Sequence, residues 1–383
     1  MSSPGTNHLR ILLNAASLSG ILTGTARYAR GLYDAILKLR LAEVGFFVNG
    51  NVYGEMPSQA GSLRGRYLPP QIRYSARMAK QALMEYRLNR VLNDFDANIY
   101  HETGMFPVSQ NLAIPTILTI YDLSLLKYKQ FHPVDRVRHF ERHFFRRIAA
   151  VDHIITLSEF IYHELIENLE ISPERITAIP LAPSSIFYKR SDAEIDRYLN
   201  KHSIGHPYFL SVAANEPRKN LNGLVRALEG AGQNYMLVLA GPGGWLNNDF
   251  ETTIRQSKQG DRIIRLGHVS DDQLALLYSG ASALVYPSYY EGFGLPILEA
   301  MACGCPVVCS NCGAMAEVAG DAAILVDPNH PEAVSAAMDQ IIEDSELRTR
   351  LITMGYRRIQ DFSWERTATE TIAVFERVRS IAV

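Results

Sequence analysis

The chain has 383 residues, 47% hydrophobic and 20% charged, with 38 Lys and Arg against 40 Asp and Glu for a formal net charge of −2. That length is more than one comfortable core and suits two domains of ordinary globular composition, and the near-neutral charge argues against a general nucleic-acid binder. The opening Met1–His8 lacks the apolar core of a signal peptide, and no run approaches the roughly 20 apolar residues that span a bilayer, so the expected location is cytoplasmic.

Apolar, strand-like runs alternate with helical stretches from end to end. In the first half they predict strands at Arg10–Ala15, Val44–Val48, Ala97–His101, Thr116–Ile120, His153–Leu157 and Ile176–Pro180. In the second half they predict strands at Tyr208–Ala213, Tyr235–Ala240, Arg262–Leu266, Ala283–Tyr286, Pro306–Cys309 and Ala323–Val326. The alternation points to two doubly wound α/β units with parallel sheets, residues 1–185 and 186–362. The connection is expected in residues 184–204, where the apolar period is weak, and a last helical stretch covers Ser363–Val383. Doubly wound sheets bind ligands outside the carboxyl ends of their strands, so the expected site is a cleft between two facing domains.

In chain order, Ser17–Tyr28 links the first strand to the first helix. Its spacing is not G-x-G-x-x-G, and no acidic residue closes the second strand, which argues against a nicotinamide cofactor. Charge is uneven: residues 1–185 hold 20 Lys and Arg against 16 Asp and Glu, whereas residues 186–383 hold 18 against 24. Much of the excess is Arg64, Arg66, Arg73, Arg77, Lys80, Arg87 and Arg90, opposed only by Glu85, with Tyr67, Leu68, Tyr74, Met78, Leu83, Met84 and Tyr86 interleaved. A second basic stretch, Arg136 to Arg147, encloses Phe140, Phe144 and Phe145. Two readings stay open: amphipathic helices with solvated faces, or peripheral contact with an anionic bilayer or a lipid-diphosphate acceptor. His101 and Glu102 end a strand, where a lone histidine is as readily a satisfied structural group as a catalytic one.

After the strand ending near Ala213 comes Asn215-Glu216-Pro217-Arg218-Lys219-Asn220, a turn into a helix that starts near Asn220. Arg218 with its planar fork and Lys219 as a movable point charge suit a diphosphate. Adjacent side chains diverge by about 100° on a helix, so both reach one group only if the turn is not yet helical. Gly241-Pro242-Gly243-Gly244-Trp245 has no Lys-Ser/Thr ending and is no P-loop; it reads as structural, with Gly241 and Gly243 letting backbone approach a nucleotide. Glu291-Gly292-Phe293-Gly294-Leu295-Pro296-Ile297-Leu298-Glu299 places two carboxylates eight apart across a glycine-rich loop and the start of a helix. Unpaired N–H groups there attract phosphate, and each carboxylate can accept hydrogen bonds from two neighbouring hydroxyls. Cys303, Cys305, Cys309 and Cys312 crowd together, but the one-residue gap and the proline after Cys305 do not suit a metal site, and no metal is expected.

Glu291 to Glu299 resembles the E-x7-E pattern of the retaining glycosyltransferases of family 4. The text around it, Tyr286 to Val308, is similar throughout, as are Asn215 to Leu221, Leu266 to Val269, Glu317 to Ala323 and Phe362 to Glu365, in the family's order. The likeness is dense from about residue 205 onward, looser over 100–185 and faint over 50–95. It implies the GT-B fold of two Rossmann-like domains, with residues 363–383 crossing back to the first. It also implies retaining, metal-independent transfer of a hexose from a nucleoside diphosphate sugar, the only co-substrate, to a hydroxyl of a glycan or lipid-diphosphate-linked acceptor. Mannose from GDP-mannose, used for a surface polysaccharide such as lipopolysaccharide, is the first expectation for the sugar.

By the resemblance, Glu299 binds the ribose hydroxyls, Arg218 and Lys219 the diphosphate, and Glu291 with the backbone of Gly292, Phe293, Gly294 and Leu295 the hexose. Asn215 and Gly241 join the donor site, and Gly24 with Thr25 stand where relatives approach the donor phosphates. Many relatives carry a histidine where Tyr121 stands; here Asp122 is the group expected to orient an acceptor hydroxyl or accept its proton, with His101 and Glu291 as further catalytic candidates. The other reading of Asp122 is a cap on the segment that follows. A nucleotide-sugar epimerase of the same shape and a non-catalytic sugar-nucleotide binder remain alternatives.

Overall fold

A computed structural model describes residues 8–19, 23–57, 70–110, 112–232, 235–245 and 248–381. The chain divides into two compact units, one of Met1–Lys129, Val134–Leu181 and Ser363–Val383, the other of Gln130–Pro133 and Ala182–Phe362.

The first unit is built on seven strands: β1 (Arg10–Asn14), β2 (Glu43–Val48), β3 (Asn51–Tyr53), β4 (Ile99–Glu102), β5 (Thr116–Ile120), β6 (His153–Thr156) and β7 (Ile176–Ala178), in the order β3-β2-β1-β4-β5-β6-β7. Every pairing is parallel except β2 with β3. Ile11, Leu12, Leu13, Ile117 and Leu118 have no exposure, as expected of strands covered on both faces by crossover helices. The extra strand β3 was not expected. It is a hairpin on β2 turned by Asn49 and Gly50, with φ of 52° and 96°, the positive values that an Asn-Gly turn adopts most readily.

The final helix, Trp364–Ile381, belongs to this unit. Its Trp364 ring packs on Gly31 of helix Gly24–Lys38 so closely that a Cβ there would lie 2.3 Å from ring carbons. Thr367 Oγ1 donates to Pro180 O at 2.7 Å, and Phe375 is buried with its ring edge-on to His101 at 5.1 Å.

The second unit has six parallel strands: β8 (Tyr208–Val212), β9 (Met236–Ala240), β10 (Ile263–Gly267), β11 (Ala283–Tyr286), β12 (Val307–Ser310) and β13 (Ile324–Val326), ordered β10-β9-β8-β11-β12-β13. The twelve expected strands therefore all form, with ends displaced by at most two residues. Strand order reverses beside β1 in the first sheet, between β1 and β4, and beside β8 in the second, between β8 and β11. These switch points are where open α/β sheets hold ligands.

Residues 184–204 differ from the expected connection. The chain passes into the second unit at Ala182, and Ser191 with Glu194 forms a capping box that starts helix Asp192–Lys201. Ile195, Tyr198 and Leu199, spaced three and four apart, are the buried stripe, and Gly280 leaves room for Ile195 to press against its helix.

Candidate active site

The loops after β8 and β11 carry the main cluster. After β8 a single turn of 3-10 helix, Pro217–Lys219, is followed by Asn220 in the left-handed region at φ 55° and by helix Leu221–Gly230. The turn is thus not yet α-helical, which meets the condition for Arg218 and Lys219 to reach one group. Asn220 fixes it. Its Oδ1 accepts from Gly223 N at 3.1 Å, and its Nδ2 donates to Pro287 O at 3.1 Å and Pro328 O at 2.8 Å, tying the turn to the β11 loop. A side chain at Gly223 would meet Asn220 Oδ1 at 2.4 Å. Asn220 was missed as a site-shaping residue, although an Asn before an apolar helical run is an N-cap signal.

The two loops are then sewn together: Tyr289 N donates to Arg218 O at 2.9 Å, and Arg218 Nη1 donates to Tyr290 O at 3.0 Å. Within this unit Phe131 stacks on Tyr289 with centroids 6.0 Å apart, and its carbonyl accepts from Trp245 Nε1 at 2.8 Å. Nothing in the sequence pattern linked these three rings.

Glu291 is 7% exposed and lies between both cations. Its Oε2 accepts from Arg218 Nη1 at 2.7 Å, and its Oε1 accepts from Lys219 Nζ at 2.5 Å and from the Tyr286 hydroxyl at 2.8 Å. Lys219 Nζ also donates to the Tyr286 oxygen at 3.2 Å. Burial pushes the Glu291 carboxyl up, but Lys219 and Arg218 beside it pull it further down, to about 2, so it is ionised at any ordinary pH. Burial and the neighbouring Arg218 lower Lys219, a shift that Glu291 opposes without cancelling. Arg218 Nη2 also donates to Glu216 Oε2 at 3.5 Å, so the cluster is buried and hydrogen-bonded, with two cations facing two carboxylates.

Gly294, at φ 106°, opens helix Leu295–Ala302 with Pro296 in its first turn. Phe293 is buried edge-on to Phe362 at 6.1 Å and anchors the loop that Gly292 and Gly294 bracket. Glu299, 3% exposed, accepts from the Tyr278 hydroxyl at 3.1 Å. The structure thus joins Arg218, Lys219 and Glu291 directly and gives Glu299 a tyrosine partner on helix Asp271–Gly280. In the β9 loop the tight glycines are Gly241 and Gly244, where a Cβ would lie 2.0 Å from Ala213 O and from Asn215 O respectively. Gly243 has open space around it. Asn215 N donates to Pro242 O at 3.2 Å, so Asn215 is held by the glycine loop.

In the first unit, Thr23 caps helix Gly24–Lys38, accepting from Ala26 N at 3.4 Å and sharing a 2.8 Å hydrogen bond with the Thr25 hydroxyl. A Cβ on Gly24 would meet nothing within 4 Å, and no acidic residue occupies that first turn. Residues 20–22 of this loop lie outside the described residues.

His101 is placed differently from a catalytic group. It has no exposure, its Nδ1 pairs with the Tyr33 hydroxyl at 2.6 Å and its Nε2 with the Thr119 hydroxyl at 2.8 Å, and burial lowers it to about 3. It is the satisfied, neutral core histidine. Asp122 accepts from Ser124 N at 2.9 Å, a local turn bond two residues on, just before the short helix Ser124–Lys127, whose N-cap position is Leu123, and the Tyr121 hydroxyl donates to Thr103 O at 3.1 Å.

The residue beside His101 is the unexpected one. Glu102, with no exposure, accepts from Asn14 Nδ2 and Gly104 N, each at 2.7 Å, through Oε1, and from the Tyr100 hydroxyl at 2.7 Å and Val108 N at 3.1 Å through Oε2. It ties the end of β1 to the loop after β4 at the first sheet's switch point.

The basic stretches form helices Pro70–Phe95 and Val134–Ile148. Arg147 is buried, donating to Pro107 O, Val108 O and Glu85, whereas Lys80, Arg90, Arg138, Arg142 and Arg146 are exposed. Leu83, Tyr86 and Phe145 are exposed among them at 45%, 67% and 49%. Arg64, Arg66, Tyr67 and Leu68 lie outside the described residues. Cys303, Cys305 and Cys309 are buried, and burial pushes the Cys303 and Cys309 thiols up to about 12. Among the described residues no group of three or more His, Cys, Asp or Glu is arranged to hold a metal ion.

A family model described as Glycosyltransferase Family 4 matches residues 23–182, and one described as Glycosyl transferases group 1 matches residues 194–358. The O-antigen chain mannosyltransferase B of Escherichia coli is 32% identical over 382 residues, 96% of this chain and 100% of that protein. A sucrose-phosphate synthase from Thermosynechococcus elongatus shares the fold with a TM-score of 0.80 at 22% identity, over 97% of this chain and 100% of that one. HepE of Anabaena, in complex with UDP and glucose, does so with a TM-score of 0.75 at 16% identity, over 97% of this chain and 100% of that one. With two parallel-sheet units, an acidic and basic cluster at a switch point, and sequence similarity over nearly its whole length, the chain belongs to the glycosyl transferases group 1 family and is a glycosyltransferase of the GT-B fold.

Proposed function

We propose that the protein transfers mannose from GDP-mannose, with retention of anomeric configuration and without a divalent metal, to a hydroxyl of a glycan or lipid-linked acceptor in the assembly of a surface polysaccharide. The observation that carries this reading is the meeting of Arg218, Lys219 and Glu291 at the carboxyl ends of β8 and β11. As the bond from the sugar C1 to the diphosphate breaks, charge grows on the leaving oxygen. Two cations held by Tyr290 O, Tyr286 and the Asn220 cap stand at that position, and once the donor has turned Glu291 off them they stabilise that charge with little further reorganisation. They supply the positive charge that a metal would otherwise bring. The acceptor oxygen bonds to C1 on the face the diphosphate leaves, and its proton ends on the departing phosphate. Glu291 is the hexose-facing carboxylate and Glu299 the ribose-facing one.

The sugar is taken from the similarity to a mannosyltransferase, and the nucleotide class is supported by HepE, which shares the fold and holds UDP and glucose. Calorimetric titration with GDP, UDP and ADP in the presence of EDTA tests the donor. GDP is expected to bind at least about tenfold more tightly than the other two, about 1.4 kcal/mol. Preference for UDP overturns GDP-mannose, and binding only after a divalent metal is restored overturns metal independence.

A second reading concerns location. Exposed Leu83, Tyr86 and Phe145 among exposed Lys80, Arg90, Arg138, Arg142 and Arg146 suit an anionic membrane surface, each basic group contributing about 1 kcal/mol. Among the described residues no helix is long and apolar enough to cross a membrane. Cosedimentation with vesicles containing phosphatidylglycerol is expected, lost in phosphatidylcholine and weakened by the pair Tyr86→Ser and Phe145→Ser. Equal behaviour toward both vesicle types contradicts it.

A further inference from the structure

Arg218 and Lys219 each bond to a different oxygen of one carboxylate, Glu291. The two cations that suit a diphosphate are thus engaged by an anion of the chain itself. Glu216 also lies 3.5 Å from Arg218 Nη2, but Glu291 is the carboxylate that bonds to both cations, and Lys219, lowered by burial and by Arg218, has the sign of a cation that gains from more negative charge nearby. A diphosphate carries more charge than a carboxylate, so it takes both cations and displaces Glu291.

What the displaced carboxylate then finds depends on the ligand. An intact sugar nucleotide places hydroxyls beside its diphosphate, and these donate to a carboxylate. A spent nucleoside diphosphate offers none, and leaves a buried anion facing phosphate oxygens. We propose that Glu291 is an intramolecular competitor for the diphosphate position, compensated by the sugar of an intact donor but not by the spent nucleotide, so that it discriminates between the two and hastens product release. Tyr286 is a positioning residue for this exchange. Its hydroxyl donates to Glu291 Oε1 and accepts from Lys219 Nζ, marking the place to which the carboxylate returns.

This inference rests on the donor reading above. Its test is titration of GDP, UDP and inorganic pyrophosphate, and of GDP-mannose and UDP-glucose, into the wild type and Glu291→Gln. The variant is expected to bind the spent nucleotide about tenfold more tightly than the wild type while gaining nothing for the intact donor, so the ratio of the two affinities falls by about tenfold or more. Tyr286→Phe shifts the ratio in the same direction by a smaller factor, about threefold. Should Glu291→Gln fail to fold, Glu291→Asp, whose shorter arm cannot span both cations, is expected to tighten spent-nucleotide binding likewise. Equal or weaker binding of nucleoside diphosphate by a folded variant, with the wild type binding it, overturns the competitor and leaves the donor reading standing. If neither protein binds any nucleotide, the donor reading falls and the competitor with it.

Discussion

Replacing Arg218 with alanine is expected to lower kcat for transfer from the sugar nucleotide by about 10²–10³-fold, equivalent to roughly 3–4 kcal/mol of lost transition-state stabilisation. The loss is specific because Arg218 aims a planar pair of donors from a turn whose backbone is independently held: Tyr289 N still donates to its carbonyl after truncation, and Asn220 still caps the helix. Glu291 keeps Lys219 and Tyr286 after truncation, while Glu216 loses its 3.5 Å pairing with Arg218. Lys219→Ala is expected to act comparably, and the double variant to lose less than the product of the two, since both cations serve one group and share Glu291. Steady-state transfer assays on protein shown to be folded by far-ultraviolet circular dichroism check this. A kcat within tenfold of wild type for either single variant removes these cations from the chemistry.

The second large effect is on stability. Glu102→Leu is expected to cost about 3–5 kcal/mol of unfolding free energy, because it strands Asn14 Nδ2, the Tyr100 hydroxyl and the amides of Gly104 and Val108, all now donating to one buried carboxylate. All four partners donate, so an acceptor-only group is needed, and Glu102→Gln is expected to recover part of the loss rather than all of it. Urea unfolding curves compare the three proteins, and a Glu102→Leu cost under about 1 kcal/mol contradicts the account. Burial raises the Glu102 carboxyl above its ordinary value despite these bonds, so its ionisation weakens the fold as pH rises from about 4.5. Glu291 has the opposite sign. Lowered from 4.5 to about 2, it contributes stability above about pH 4.5 that fades as pH falls toward 2. Glu291→Gln therefore flattens the acid side of the stability profile.

The strands were legible because their runs are apolar and continuous, the pattern that buried parallel sheets require. β3 was not read although its Asn49-Gly50 signal is in the sequence, because the strand itself is three mostly exposed residues. Helix Asp192–Lys201 was passed over because its stripe is only Ile195, Tyr198 and Leu199 between charged neighbours. Within the second unit the chemistry was legible where it sits in one continuous motif: Arg218 and Lys219 are adjacent, and Glu291 follows β11. Partners supplied by distant segments were not. Tyr286, Tyr278 and Asn220 reveal their roles only through hydrogen bonds, and Glu102 depends on Asn14, 88 residues away. His101 shows the converse: a strand-end position looked exposed to a cleft, whereas Tyr33 and Thr119 enclose it from both sides. In the β9 loop glycine was needed for packing against residues 213–215 at Gly241 and Gly244 rather than at Gly243.

A crystal structure of the protein with GDP-mannose bound tests the central claim most directly. Phosphate oxygens within hydrogen-bond distance of both Arg218 and Lys219, with the Glu291 carboxylate turned onto the sugar hydroxyls, is the predicted result. A nucleotide seated elsewhere, with Glu291 still bonded to both cations, contradicts it.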